Sequence, residues 1–68
     1  MQLFQPKVRD QAIETICSNL IMAGLLFPCE VAKYMKSLCV LNNLQLAEEL
    51  CESRLALDRH LAKVWFLN

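Results

Sequence analysis

The cationic side chains near the end of the chain have types that bind phosphate groups. Residues 53–68 contain three Arg or Lys residues against one Asp, together with the single His, whereas 48–52 is acidic. Guanidinium and ammonium groups bind phosphates, and guanidinium groups also hydrogen-bond to base edges. The charge is divided in the sense that a DNA-reading helix needs. The whole chain carries seven basic and seven acidic residues, which argues against a general nucleic-acid-binding protein.

The same region contains no catalytic arrangement. Asp58 and His60 are too close in sequence to face each other on a helix. Ser53 does not complete a triad with them, because one helix cannot bring the three groups together. Gly24 is the only glycine, which excludes a glycine-rich phosphate-binding loop. We therefore expect no enzymatic activity and no cofactor.

The four cysteines do not form a metal-binding motif. They lie at positions 17, 29, 39 and 51, and no C-x-x-C occurs. Each lies on or beside a predicted apolar helical face, and free buried thiols behave as small hydrophobic side chains. The first residues, MQLFQPKVRD, lack an export signal. We expect free thiols, no metal and a reducing, cytoplasmic location.

Two predicted helices and a turn within 46–61 would position the cationic residues. Leu46, Ala47 and Leu50 form a short apolar face, and a second apolar stripe begins at Leu57. Ser53 lies between the two stripes and is a good N-cap for the second helix. The alternative is that these are two packed helices of an ordinary bundle.

This run, LAEELCESRLALDRHL, resembles the helix-turn-helix consensus L-A-x-x-L-G-x-S-R-x-T-[LV]-x-R-x-L. The matching positions are Leu46, Ala47, Leu50, Ser53, Arg54, Leu57, Arg59 and Leu61. With Asn42-Asn43 before it and a short tail after it, 42–68 is similar to the C-terminal domain of the factor for inversion stimulation and related enhancer-binding activators. The chain departs from the consensus with Cys51 at the turn glycine, Glu52 at a buried Val or Ile, and Asp58 at a phosphate-facing position.

The resemblance implies a small transcriptional regulator that binds double-stranded DNA as a homodimer. In such proteins the second helix of the motif enters the major groove. Arg54 and Arg59 would then contact bases or phosphates. The nucleic-acid-binding surface implied by the resemblance consists of Ser53, Arg54, Arg59, His60 and Lys63.

The hydrophobic periodicity predicts an all-α fold with a single domain over 1–68. We predict an arm over 1–6 and four helices, at about 7–26, 28–40, 43–51 and 53–66, the last two forming the helix-turn-helix-like hairpin. Asn42 or Asn43 is expected to cap the third helix. Trp65 and Phe66 are expected to close the core or, alternatively, to extend an apolar dimer surface.

The apolar content exceeds what so short a chain can bury. Hydrophobic residues make up 56% of the 68 residues, above the roughly 45–50% of ordinary domains. The segment LIMAGLLFPC is apolar on all sides, yet it is far shorter than the roughly 20 residues of a membrane span. We therefore expect no membrane anchor, and either a homodimer or a protein partner that covers an apolar face.

The end of the first helix is the predicted interface for a second copy or a partner. Its residues are Ile21, Met22, Leu25, Leu26 and Phe27. On this hypothesis the chain is a helical adaptor, chaperone or anti-regulator that binds a protein through an apolar helix face. The alternative is that this segment lies at the centre of the fold.

Overall fold

A computed structural model describes residues 6–66 of the chain, and this range contains three α-helices. They are α1 (Pro6–Met22), α2 (Val31–Cys39) and α3 (Asn43–Phe66), and a 3-10 turn over Pro28–Glu30 precedes α2. No strand occurs in this range, so the all-α prediction is confirmed. Residues 1–5 of the predicted arm and residues 67–68 lie outside the described residues.

Helix α1 ends earlier than the sequence predicts, because Gly24 stops it. Gly24 has a φ of 75°, a left-handed conformation that is costly for residues with a Cβ atom. Its N–H donates to the carbonyl of Ile21 (3.0 Å), and the N–H of Leu25 donates to the carbonyl of Leu20 (2.9 Å). These are the paired hydrogen bonds of a Schellman motif. Residues 23–27 therefore form a loop, and the predicted helix end at 26 is wrong.

Helix α3 begins with a reciprocal cap. The Oδ1 atom of Asn42 accepts the N–H of Gln45 at 2.8 Å, and the Oε1 atom of Gln45 accepts the N–H of Asn42 at 3.0 Å. This capping box confirms the prediction that an asparagine here caps the helix. Arg9 ties the same loop to α1, because its Nη2 atom donates to the carbonyl of Leu41 at 2.7 Å and its Nη1 atom donates to Oδ1 of Asn43 at 2.6 Å.

Helix α3 continues without a break from Asn43 to Phe66, so the predicted turn at Cys51 and Glu52 is wrong. From 43 to 63 the sequence contains no glycine, proline or β-branched residue, and most positions hold Leu, Ala, Glu, Gln, Arg or Lys, the strong helix formers. Cys51, unlike the glycine of the consensus, would be strained in a left-handed turn. The predicted helices 43–51 and 53–66 are one helix, and the described residues form three α-helices rather than four.

Helices α1 and α3 lie side by side and run in the same direction. Arg9 contacts Asn43 near the start of both helices, and Asn19 contacts Ser53 further along both. Helix α2 leads the chain back from the end of α1 to the start of α3. The buried core cluster, to which all three helices contribute, consists of Ile13, Ile16, Cys17, Leu38 and Leu46. The body measures only 15 Å along its shortest axis, so the outward sides of the helices stay exposed.

Candidate interaction surfaces

Ser53 does not belong to an exposed nucleic-acid surface. It is 2% exposed, its Oγ atom accepts the Nδ2 donor of Asn19 at 3.2 Å, and Oγ donates to the carbonyl of Leu50 at 2.9 Å. Asn19 is itself buried, and a buried amide needs a hydrogen-bonding partner. A hydroxyl buried between two helices cannot contact a phosphate, so the prediction that Ser53 belongs to the nucleic-acid-binding surface is wrong.

Arg54 is exposed but paired within α3. Its Nε atom lies 3.2 Å from Oδ1 of Asp58, one helical turn further on. The two side chains are 70% and 54% exposed, and an exposed pair at this spacing contributes only about 0.3–0.5 kcal/mol. Because Asp58 places a negative charge beside the guanidinium group, Arg54 adds little net positive potential to this side of α3.

The other three residues of the predicted nucleic-acid-binding surface lie together. Arg59, His60 and Lys63 line a groove between α3 and the loop that follows α1. The apolar part of the same groove is formed by Ala23, Leu25 and Ala56. No carboxylate lines it among the residues that the structure describes. We refer to this groove, with its two cationic residues and His60, as the basic groove.

The predicted apolar interface is largely exposed to solvent. The exposed side chains are Ile21 (37%), Met22 (61%), Leu25 (66%) and Phe27 (64%). The side chain of Leu26 differs from these four, because it packs, half-buried, against the core. Its backbone N–H donates to the carbonyl of Leu20 at 3.2 Å. The alternative that this whole segment lies at the centre of the fold is therefore wrong. We refer to the four exposed side chains as the loop surface; its Leu25 also lines the basic groove.

The end of α3 projects beyond α1. Trp65 and Phe66 are 76% and 81% exposed, so the expectation that they close the core is wrong. Helix α1 ends at Met22 and turns back, which leaves the last turns of α3 without a helix on which to pack. The alternative, that these two residues extend an interface, stays a prediction.

Sequence reasoning missed the outward side of α3, because it placed a turn in the middle of that helix. Exposed residues recur along this side at intervals of three or four and therefore share one face of a continuous helix. The signal that identifies this face is an unbroken helical period from Leu44 to Phe66. We call it the outer face, and its residues are Leu44, Glu48, Glu52, Leu55, Arg59, Lys63 and Phe66.

One side chain in the core and one packed against it have raised pKa values. Burial raises the pKa of the Cys17 thiol. Burial also raises the pKa of the half-buried Tyr34, and the negative charge of Glu49 adds to this effect. The other three thiols are exposed, contrary to the sequence prediction; they are Cys29, Cys39 and Cys51. Within residues 6–66 no three His, Cys, Asp or Glu side chains are grouped closely enough to hold a metal ion.

None of the helices in the described range combines the length and the apolar character needed to cross a membrane. No family model, curated protein or solved structure matches the chain.

Proposed function

We propose that the chain is a protein-interaction module that binds an apolar, acidic segment of a partner protein at the loop surface and the basic groove. The observation that carries this proposal is that an exposed apolar residue lines the same groove as two basic side chains that form no ion pair among the described residues. Leu25 is 66% exposed and lines the same groove as Arg59 and Lys63. Exposed apolar patches bordered by polar residues are typical of protein-binding sites.

Burial of the loop surface would supply most of the binding free energy. Full burial of a Met, Leu or Phe side chain is worth about 1.5–3 kcal/mol. Met22, Leu25 and Phe27 are 61%, 66% and 64% exposed, so covering each would contribute about 1–2 kcal/mol. Carboxylates of the partner would pair with Arg59 and Lys63 at the exposed rim, which sets orientation and specificity more than affinity.

Two designed helical peptides test this proposal by fluorescence anisotropy. Both carry leucines along one side, and one has glutamates beside the leucines where the other has glutamines. We expect the acidic peptide to bind several-fold more tightly than the amide peptide, and the difference to shrink as salt is added.

Two variants locate the binding site. Leu25→Glu should weaken binding of the acidic peptide at least tenfold, because it removes an apolar contact and places a carboxylate among those of the peptide. Val40→Glu is the matched control, since Val40 is also exposed (83%) but follows α2, near the other end of the molecule. Equal binding of the two peptides, or equal effects of the two variants, would contradict the proposal.

The exposed thiols bear on where the module acts. Cys29, Cys39 and Cys51 are free and accessible, which suits a reducing compartment. We propose the cytoplasm as its location.

DNA binding by a dimeric transcriptional regulator is the second candidate function. It is favoured by Arg59, His60 and Lys63, which line one groove of α3 with no carboxylate among its described lining residues. This candidate does not depend on a turn within α3, because a continuous helix can also lie along the major groove.

A salt titration of binding to random duplex DNA tests the second candidate. Two phosphate contacts per copy, from Arg59 and Lys63, predict that log affinity falls linearly with log salt with a slope of about −1.8 per copy. Arg59→Ala should lower the affinity for DNA without changing helicity. Absence of wild-type binding at about 50 mM salt, where phosphate contacts are strong, would exclude it.

A further inference from the structure

The outer face of α3 carries a charge pattern that an isolated helix disfavours. Glu48 and Glu52 are four residues apart, as are Arg59 and Lys63, so like charges are neighbours on successive turns. Like-charged pairs at this spacing destabilise a helix. The ion pair that α3 contains within the described residues, between Arg54 and Asp58, involves none of these four.

Apolar side chains lie at the centre and at both ends of the same face. Leu44, Leu55 and Phe66 are 69%, 55% and 81% exposed. Leu55 is midway between the other two along the sequence. On the outer face Glu48 and Glu52 precede it and Arg59 and Lys63 follow it, at nearly equal spacings, while the neighbouring Arg54 and Asp58 neutralise each other in one ion pair. The outer face is therefore complementary to itself when one copy is reversed.

We propose that two copies of the chain associate through their outer faces, with the two α3 helices antiparallel and a two-fold axis beside Leu55. Such an axis reverses the direction of one helix, so the acidic half of each meets the basic half of the other. Glu48 then faces Lys63 of the second copy, and Glu52 faces Arg59 of the second copy. Each pair occurs twice, which converts repulsion within one helix into attraction between two.

The apolar residues fit the same register. Leu55 packs against Leu55 of the second copy, and Leu44 lies near Phe66 of the second copy. A parallel arrangement would instead place glutamates opposite glutamates. Exposed apolar area on α3 that the monomer leaves in water is covered in the antiparallel dimer, which stabilises the folded state by mass action.

This interface is distinct from the loop surface, and the dimer does not require that the proposed peptide binding be correct. Arg59 and Lys63 belong both to the outer face and to the basic groove, so an acidic peptide and a second copy compete for them, whereas Phe27 belongs only to the loop surface. Phe27→Glu, in the loop surface but outside the lining of the basic groove, should therefore weaken peptide binding and leave the dimer unchanged. The two proposals can thus fail independently.

Two charge-reversal variants test the dimer by sedimentation equilibrium of the full chain over a range of protein concentrations. Glu48→Lys/Glu52→Lys makes both halves of the outer face basic, and Arg59→Glu/Lys63→Glu makes both halves acidic. We expect the wild-type chain to dimerise and each variant alone to show a dimer dissociation constant at least tenfold higher. An equimolar mixture should recover the dimer, and native mass spectrometry should find one copy of each variant in it.

A control variant separates the register from net charge. Asp10→Lys/Glu14→Lys changes the charge by the same amount at two exposed positions of α1; it should dimerise like the wild type and associate with the acidic variant no more tightly than the wild type does. Leu55→Glu provides a disruption that is independent of the ion pairs. Circular dichroism verifies that each variant is helical. A wild-type chain that stays monomeric, variants that dimerise as tightly as the wild type, or a mixture that does not associate would each overturn the proposal.

Discussion

Substitutions at Ser53 distinguish a continuous α3 from a helix that starts at this residue. In the structure Ser53 is an interior residue of α3, 2% exposed, with its Oγ atom bonded to Asn19 Nδ2 at 3.2 Å and to the carbonyl of Leu50 at 2.9 Å. In the helix-turn-helix interpretation it would be an N-cap. The two environments predict opposite orders of stability for alanine and glycine at this position.

The structure gives the size of the effect. Ser53→Ala leaves the buried Asn19 amide without its partner, which costs about 1–3 kcal/mol, and alanine regains up to about 0.5 kcal/mol of helix propensity. The net loss is about 0.5–2.5 kcal/mol. Ser53→Gly loses the same hydrogen bond and should be about 1 kcal/mol less stable than Ser53→Ala, because glycine is less favourable than alanine inside a helix. At an N-cap the order reverses, since replacing serine by glycine costs only a few tenths of a kcal/mol while alanine costs about 1 kcal/mol.

Urea unfolding followed by circular dichroism at one fixed protein concentration measures both variants. A domain of this length is expected to have a free energy of unfolding of about 3–10 kcal/mol, so a difference of about 1 kcal/mol is resolved. Ser18 is the control, because it is an exposed interior residue of α1 and Ser18→Ala and Ser18→Gly should differ by about 1 kcal/mol through helix propensity alone. If Ser53→Gly proved more stable than Ser53→Ala, the continuous helix would be refuted.

Three further predictions concern the loop after α1, the two groups with raised pKa values and the accessibility of the cysteines. Gly24→Ala should lower the free energy of unfolding by about 1–2 kcal/mol through backbone strain at φ 75°; steric clash adds nothing, since an added Cβ would meet no atom within 4 Å. Gly24→Asn should lose less stability in the same urea titration. Equal stability of Gly24→Ala and the wild type would contradict this prediction. The raised pKa values of Cys17 and Tyr34 mean that the folded state holds these protons more tightly than the unfolded state, so in reducing buffer the free energy of unfolding should fall as pH rises above about 8.5–10. Mass spectrometry after brief alkylation should find Cys17 modified more slowly than the exposed Cys29, Cys39 and Cys51, and equal rates would argue against its burial.

The sequence predicted those features that depend on neighbours within a few turns. Ile13, Ile16 and Cys17 recur at the three- and four-residue spacing of one helix face, and all three are buried in the core. The asparagine before α3 forms a cap whose two partners are three residues apart. In each case the residues that decide the structure lie close together in the sequence, so a local pattern was sufficient.

The features that the sequence did not predict depend on distant residues. A serine followed by helix formers is consistent with both an N-cap and a buried helix interior, and the choice depends on Asn19, which lies on another helix. Trp65 would be expected in most cores, yet it is 76% exposed because α1 has already ended at Met22. Neither outcome follows from the residues adjacent to these positions.

The continuity of α3 also decides whether the proposed dimer can exist. A turn at Cys51 and Glu52 would rotate the segment that carries Glu48 away from the segment that carries Arg59 and Lys63. The acidic and basic halves would then face different directions, and one flat contact between two copies could not join both. Only in an unbroken helix do the two halves lie on one face on either side of Leu55. A result at Ser53 that favoured an N-cap would therefore remove the physical basis of the antiparallel interface, while leaving peptide binding at Leu25 open to its own test.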